Sequence, residues 1–263
     1  MQELAFVLAG LVVGLIVGLT GVGGGSLMTP ILIFFFGVKP YMAVGTDLLF
    51  AAFTKMGGTI SLARSKRVDW PVVLTLSCGS VPAALLTLYI LHRVGPAQPE
   101  VQAIMTSTLG VALLLTAAAT LYKALRGKAS PKTIAPGEEA QATRPVHPLL
   151  PLLFGALIGT LVTLTSVGAG AIGVTVLMLL YPRLPLSRIV AADIAYAVPL
   201  TLVAGAGHAS LGSVDWTMLA SLLVGSLPGI WLGAHIMHKT PERLIRSMLS
   251  VLLAYAGFKL MAL

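Results

Sequence analysis

Long, uninterrupted apolar blocks constrain this chain more than any other feature. Residues 4–19, 41–63, 70–91 and 101–125 run with almost no charge, and a bilayer core takes roughly 20 apolar residues as a helix. A soluble domain covers its surface with charge on about a quarter of its residues. Here only 10% of 263 residues are charged and 57% are hydrophobic. The expected fold is therefore an all-α integral membrane protein that crosses the bilayer repeatedly.

The net charge of +8 does not point to nucleic acid, because the basic residues sit between apolar blocks and not in a stripe with interleaved aromatics. In a membrane protein their distribution reports topology. The one cysteine, Cys78, lies within an apolar block, where packing is its expected role. Met1-Gln2-Glu3 carries no basic n-region, and no small-residue cleavage site follows residues 4–19. That stretch reads as a mature helix and not as a signal peptide.

The chain contains one unit twice. Leu19-Thr20-Gly21-Val22-Gly23-Gly24-Gly25 returns as Leu164-Thr165-Ser166-Val167-Gly168-Ala169-Gly170, with five of seven positions identical. Pro40 answers to Pro185, and after one inserted residue Asp47 answers to Asp193. Val68-Asp69-Trp70 returns as Val214-Asp215-Trp216, and Gly79-Ser80-Val81-Pro82 as Gly225-Ser226-Leu227-Pro228. The expected organisation is repeat one over 1–125, a linker rich in Pro, Ala, Thr and charge over 126–147, and repeat two over 148–263. Each repeat has an apolar block, a Gly-rich break, a shorter apolar block and three long spans. These fall at 4–20, 26–37, 41–63, 70–92 and 101–125, then at 149–165, 171–181, 187–207, 214–236 and 243–262.

Each Gly-rich break could lie within one broken crossing helix or at the tip of a hairpin. If it is a hairpin, the loops 64–69, 123–147, 183–188 and 237–246 share one side and carry 13 of the 17 Lys and Arg residues. If it is a single crossing, the split is 7 against 9. The positive-inside rule selects the hairpin, with both termini outside and the linker cytoplasmic. Parity is the same whether the hairpin crosses fully or is re-entrant. Five elements per repeat is an odd number, so the repeats are expected to be inverted. The loop before the first Val-Asp-Trp is basic (Arg64, Lys66, Arg67), whereas its counterpart at 208–213 has no Lys or Arg. Opposite sides of the membrane require that difference.

Inverted repeats with broken helices place substrate near the midplane, between the breaks. Gly21, Gly23, Gly24 and Gly25 permit a tight positive-φ backbone, and Ser26, Thr29 and Pro30 open the next helix. A helix N-terminus reached through glycine exposes unpaired N–H groups that attract anions. Ser166, Gly168, Gly170 and Gly173, with Thr165, supply the counterpart. Close helix packing is the alternative use of such glycines. Lys55 lies mid-span, where a charge marks function unless it is permanently paired. Its counterpart is Thr201. Asp47 and Asp193 are either helix caps or the site of a coupling proton or sodium. Asp69 and Asp215 read as caps beside the interfacial anchors Trp70 and Trp216. His208 reads as a solvated or helix-terminal histidine, Pro82 and Pro228 as kinks. Thr54, Thr59, Ser61, Tyr196, Pro199 and Thr201 are near the same cavity in sequence. No Walker loop, metal-ligand spacing or hydrolase elbow is present, so neither enzyme chemistry nor a cofactor is expected.

Gly18-Leu19-Thr20-Gly21-Val22-Gly23-Gly24-Gly25 with Pro30 resembles the first-repeat motif of the sulfite exporter TauE/SafE family, the toluene sulfonate uptake permeases. Val44-Gly45-Thr46-Asp47-Leu48-Leu49, Thr54-Lys55 and Gly225-Ser226-Leu227-Pro228-Gly229 resemble one branch of it. The likeness covers nearly the whole chain outside the linker. One departure is Ala192 at the position matching Thr46, where that branch often carries threonine. The resemblance implies a bacterial inner-membrane permease for sulfite, thiosulfate, sulfate, sulfonates or related organic anions. The expected mechanism is alternating access, with a passive anion channel or a membrane subunit of a larger complex as the alternatives. Its partners would be the anion, the lipid bilayer and a coupling proton or sodium, with a homo-oligomer left open.

Overall fold

The computed structural model describes residues 2–20, 25–126, 145–147, 149–236 and 242–262. Ten helices make up the described fold: α1 (Gln2–Thr20), α2 (Gly25–Phe36), α3 (Pro40–Arg64), α4 (Trp70–Val94), α5 (Pro99–Arg126), α6 (Leu150–Thr165), α7 (Ala171–Leu180), α8 (Leu186–Ser210), α9 (Trp216–Ile236) and α10 (Glu242–Met261). Their bounds lie within a few residues of those expected from the apolar blocks. Prolines open α3 and α5, where a missing N–H costs nothing, while Gly37, Gly95 and Gly212 close turns at positive φ. Pro30, Pro82, Pro199 and Pro228 lie inside helices, as membrane helices tolerate when neighbours satisfy the freed carbonyls.

Among the described residues, five helices are long and apolar enough to cross a membrane: α1, α4, α5, α8 and α9. The outward surface carries Leu4, Leu8, Leu74, Leu153, Val251 and Phe258, all exposed, which suits hydrocarbon and not water. Trp70 and Trp216 also face outward. Of the most apolar window in each helix, 67% is buried in α8 but only 17% in α1. Helix α8 is therefore central and α1 peripheral. Cys78 faces outward on α4, so the packing role expected for it is replaced by a surface position.

Helices α1 and α2 run antiparallel, and so do α6 and α7. Phe6 at the start of α1 packs on Phe36 at the end of α2, with ring centroids 4.7 Å apart. In the second half, the Val146 amide just before α6 donates to the Leu180 carbonyl at the end of α7, at 3.0 Å. Helices α2 and α7 have only 12 and 10 residues. At 1.5 Å per residue these are about 18 and 15 Å long, roughly half the thickness of a bilayer core.

The packing repeats when the first five helices are exchanged with the second five. Helix α1 lies on α9 as α6 lies on α4, while α3 packs on α8 and α5 on α10. Small residues permit these contacts. A Cβ on Gly14 would collide with the Ser226 backbone, and one on Gly159 with that of Ser80. Helices α3 and α8 run antiparallel: Gly45 backs onto His208 and Ser213, Gly205 onto Leu49, and Thr59 donates to the Ile194 carbonyl at 3.4 Å. Helices α5 and α10 are also antiparallel, Gly110 meeting Gly257 while Ser250 donates to the Ala117 carbonyl at 3.0 Å. Both apolar cores draw side chains from both halves.

Candidate functional site

The central α3–α8 pair carries the charges of the membrane interior. Asp47 is fully buried in the second turn of α3, and Lys55 follows eight residues later, about 12 Å along the axis. Lys55 is buried, and its Nζ donates to the Ala169 carbonyl at 3.1 Å. The lysine thus reaches from the first half of the chain to the glycine tip of the second, 114 residues away. Two carboxylates act on this ammonium, Asp193 most strongly and then Asp47.

The Ala169 carbonyl is available because the tip is not helical. Gly168 and Gly170 have φ of 133° and 140°, and Ser166 is left-handed at 59°. Glycine tolerates such angles, whereas at serine the conformation is uncommon and costs about 1–3 kcal/mol. Thr165 closes the tip locally: its hydroxyl accepts from the Val167 amide at 3.1 Å and reaches the Leu161 carbonyl. Helix α7 starts immediately after Gly170. The Gly173 amide bonds to the Gly168 carbonyl at 2.9 Å. No Cβ fits on Gly173, because Asp193 Oδ1 occupies that space. The Asp193 carboxylate therefore lies on the first turn of α7, at the positive end of its dipole.

On the other side, Thr29 of α2 donates to Asp47 Oδ2. The Ser166 hydroxyl is a hydrogen-bonding neighbour of Asp47, and beyond that contact neither it nor Asp47 Oδ1 has a partner among the described residues. A buried carboxylate oxygen and hydroxyl held only by each other keep hydrogen-bonding capacity to take part in binding. Asp47 and Asp193 are thus interior groups on either side of Lys55, and neither is a simple helix cap. Thr201 is buried on α8, with its proton given to the Ala197 carbonyl of its own helix at 2.8 Å. Gly25 opens α2, while Gly21, Gly23 and Gly24 and the side chain of Ser26 lie outside the described residues.

Of the neighbouring residues, Asp215 keeps its expected role, whereas Asp69 and His208 depart from theirs. Asp215 caps α9, accepting from the Met218 amide at 2.9 Å. Asp69 occupies the equivalent N-cap of α4 but makes no capping bond, and it lies 3.3 Å from Arg188 on α8 instead. The contact differs because Arg188 has no basic counterpart in the first half, where Met42 stands. His208, expected to be solvated or helix-terminal, stands in the last turn of α8 but is fully buried, with Nε2 2.9 Å from the Thr163 carbonyl. It is drawn in where α8 passes the end of α6. Thr46, which carries no charge to draw attention, accepts from the Asp215 amide at 3.1 Å and ties α3 to the start of α9. Its loss at Ala192 makes the two halves unequal.

Among the described residues, no cluster of His, Cys, Asp and Glu could hold a metal ion.

Comparison with known proteins gives a consistent picture. Residues 6–260 match the model of the family described as sulfite exporter TauE/SafE. The probable membrane transporter protein YjnA of Bacillus subtilis is 36% identical over 98% of this chain and all of its own length. YunE of the same organism, likewise a probable membrane transporter protein, is 27% identical over 99% of this chain and 97% of its own. No solved structure matches.

Proposed function

Because the chain belongs to the sulfite exporter TauE/SafE family, we propose that it is a secondary transporter moving a small anion across the bacterial inner membrane by alternating access. Sulfite, thiosulfate, sulfate, a sulfonate or a related organic anion is the expected cargo. The observation that carries this reading is the buried Lys55 ammonium bonded to the glycine tip of the opposite half. A lone cation deep in a span is expensive unless it serves a charge, and here it stands beside a helix N-terminus that attracts the same sign of ligand.

The two halves act as inverted repeats in this reading, 1–125 and 148–263, with the linker cytoplasmic and both termini outside. The antiparallel α3–α8 and α5–α10 pairs support inversion, since equivalent helices of inverted repeats must run in opposite directions. The anion lies between the two breaks, held by Lys55, the backbone of Gly21, Gly23, Gly24, Gly25, Gly168 and Gly170, the hydroxyls of Ser26 and Ser166, and Thr201. Rocking of one half against the other exposes it to each side in turn.

Charge balance supports coupling. Two ionised carboxylates and one ammonium leave the buried site at −1, which repels an anion in a low-dielectric interior. A proton or sodium on Asp47 or Asp193 removes that repulsion, so cation and anion move together. The test is uptake of radiolabelled sulfite, thiosulfate and sulfate by proteoliposomes, with and without an inward proton or sodium gradient. Saturable uptake stimulated by one gradient is the expected result. Non-saturating flux indifferent to both gradients would identify a channel, and no flux of any anion would remove the sulfur-oxyanion reading.

A further inference from the structure

The buried polar groups around Asp193 extend beyond the residues used so far. Tyr196, one turn further along α8, is fully buried, as is Ser80 of α4. Their hydroxyls face each other, with Asp193 beside the phenol. They are hydrogen-bonding neighbours of each other, and beyond that contact neither has a partner among the described residues. Most buried polar groups are paired, and the surrounding lipid offers no hydrogen-bond partner to complete the count.

Exchange of the two halves shows that packing does not require these hydroxyls. By the spacing that matches Asp47 to Asp193, Tyr196 corresponds to Phe50, which is equally buried at 1% exposure. The fold needs a large aromatic ring at this position, and the first half supplies one without oxygen. Ser80 corresponds to Ser226, whose hydroxyl donates to the Leu223 carbonyl of its own helix at 3.4 Å. The Ser80 hydroxyl makes no such bond. A hydroxyl pair with one donor left over is thus held at the Asp193 end of a site whose centre is Lys55.

We infer that Ser80 and Tyr196 are specificity-determining residues, donating their hydroxyls to oxygens of the transported anion that Lys55 and the glycine tips do not reach. This deepens the anion-carrier reading and rests on it. A sulfur oxyanion presents three or four oxygens around one centre and needs donors from several directions. A carboxylate presents two, in one plane. Hydrogen bonds to a charged oxygen are the stronger kind, and a site built to donate to a ligand oxygen rejects analogues lacking it. Hydroxyls suit this end because a second cation beside Lys55 would bind Asp193 permanently, whereas a hydroxyl turns between carboxylate and cargo.

The test compares wild type with Tyr196→Phe, Ser80→Ala and the double variant in proteoliposomes, using labelled sulfite, thiosulfate and sulfate against labelled acetate. Tyr196→Phe recreates the residue of the first half, so folding should be preserved, checked by monodisperse elution and the melting temperature. KM for the best sulfur oxyanion should rise about 10- to 100-fold for each lost charged-oxygen bond. Acetate should change much less, so that the selectivity ratio falls. Anion-induced thermal stabilisation of the detergent-solubilised protein provides a second readout, and it should shrink in the variants for sulfur oxyanions. An unchanged ratio, an equal loss for every anion, or a change confined to sodium dependence would overturn the assignment while leaving the carrier standing. Neither uptake nor stabilisation of wild type by any of these anions would sink the carrier reading, and the assignment with it.

Discussion

Lys55 and Gly173 show how single residues set the chemistry of the site. Lys55, buried in the membrane interior, bonds to a backbone carbonyl and faces two carboxylates. Lys55→Ala should therefore reduce anion uptake about 10- to 100-fold, the scale of one charge-assisted contact, while the protein still elutes as a folded species. Unchanged uptake would remove the lysine from the mechanism. Gly173 has no room for a methyl group because Asp193 fills the space. Gly173→Ala should push the carboxylate off the first turn of α7 and abolish coupled uptake, read as loss of gradient stimulation. His208 contributes to stability: His208→Ala leaves the Thr163 carbonyl unpaired in a buried place, at a cost of about 1–3 kcal/mol. A lower melting temperature with an unaltered KM is the expected result.

Among elements, small-residue contacts hold α1 to α9 and α4 to α6. Membrane helices gain little from the hydrophobic effect against lipid, so backbone proximity and dispersion must hold them together. Gly14 of α1 and Gly229 of α9 each face backbone atoms of the partner helix. Gly229→Leu should separate the pair and greatly lower the yield of monodisperse protein. Gly57, in α3, has open space around the position of a Cβ. Gly57→Ala should leave yield and melting temperature unchanged or slightly improved, as helix propensity favours alanine by about 1 kcal/mol. Equal losses from both substitutions would mean that helix propensity, and not the close contact, governs stability.

For the whole molecule, the reading requires both termini on the outer side and the linker inside. An alkaline phosphatase fusion after Leu263 should be active and a fluorescent-protein fusion there dark. Fluorescent protein inserted near residue 135 should be bright. The reverse pattern would place the basic loops outside, against the positive-inside rule, and would leave the inversion intact but turned over.

Much of this architecture is written in one dimension. An apolar run as long as a bilayer core can hardly be anything but a helix, because its backbone has nothing else to bond to. Hence the helix bounds, the breaks at glycine and the matched order of Pro40, Asp47, Asp69 and Pro82 with their later counterparts were legible from the residues alone. Lys55 and the two aspartates stood out because charge within such a run is rare. Which side of each helix meets protein and which meets lipid was not legible, since both surroundings are apolar and the same residues suit either. That ambiguity hid the outward position of Cys78 and the burial of His208. Pairing across distance was hidden for a related reason. The Ala169 carbonyl, the Arg188 partner of Asp69 and the neighbouring hydroxyls of Ser80 and Tyr196 acquire meaning only when helices from the two halves cross, and backbone carbonyls and neutral hydroxyls carry no mark in sequence of what they will face.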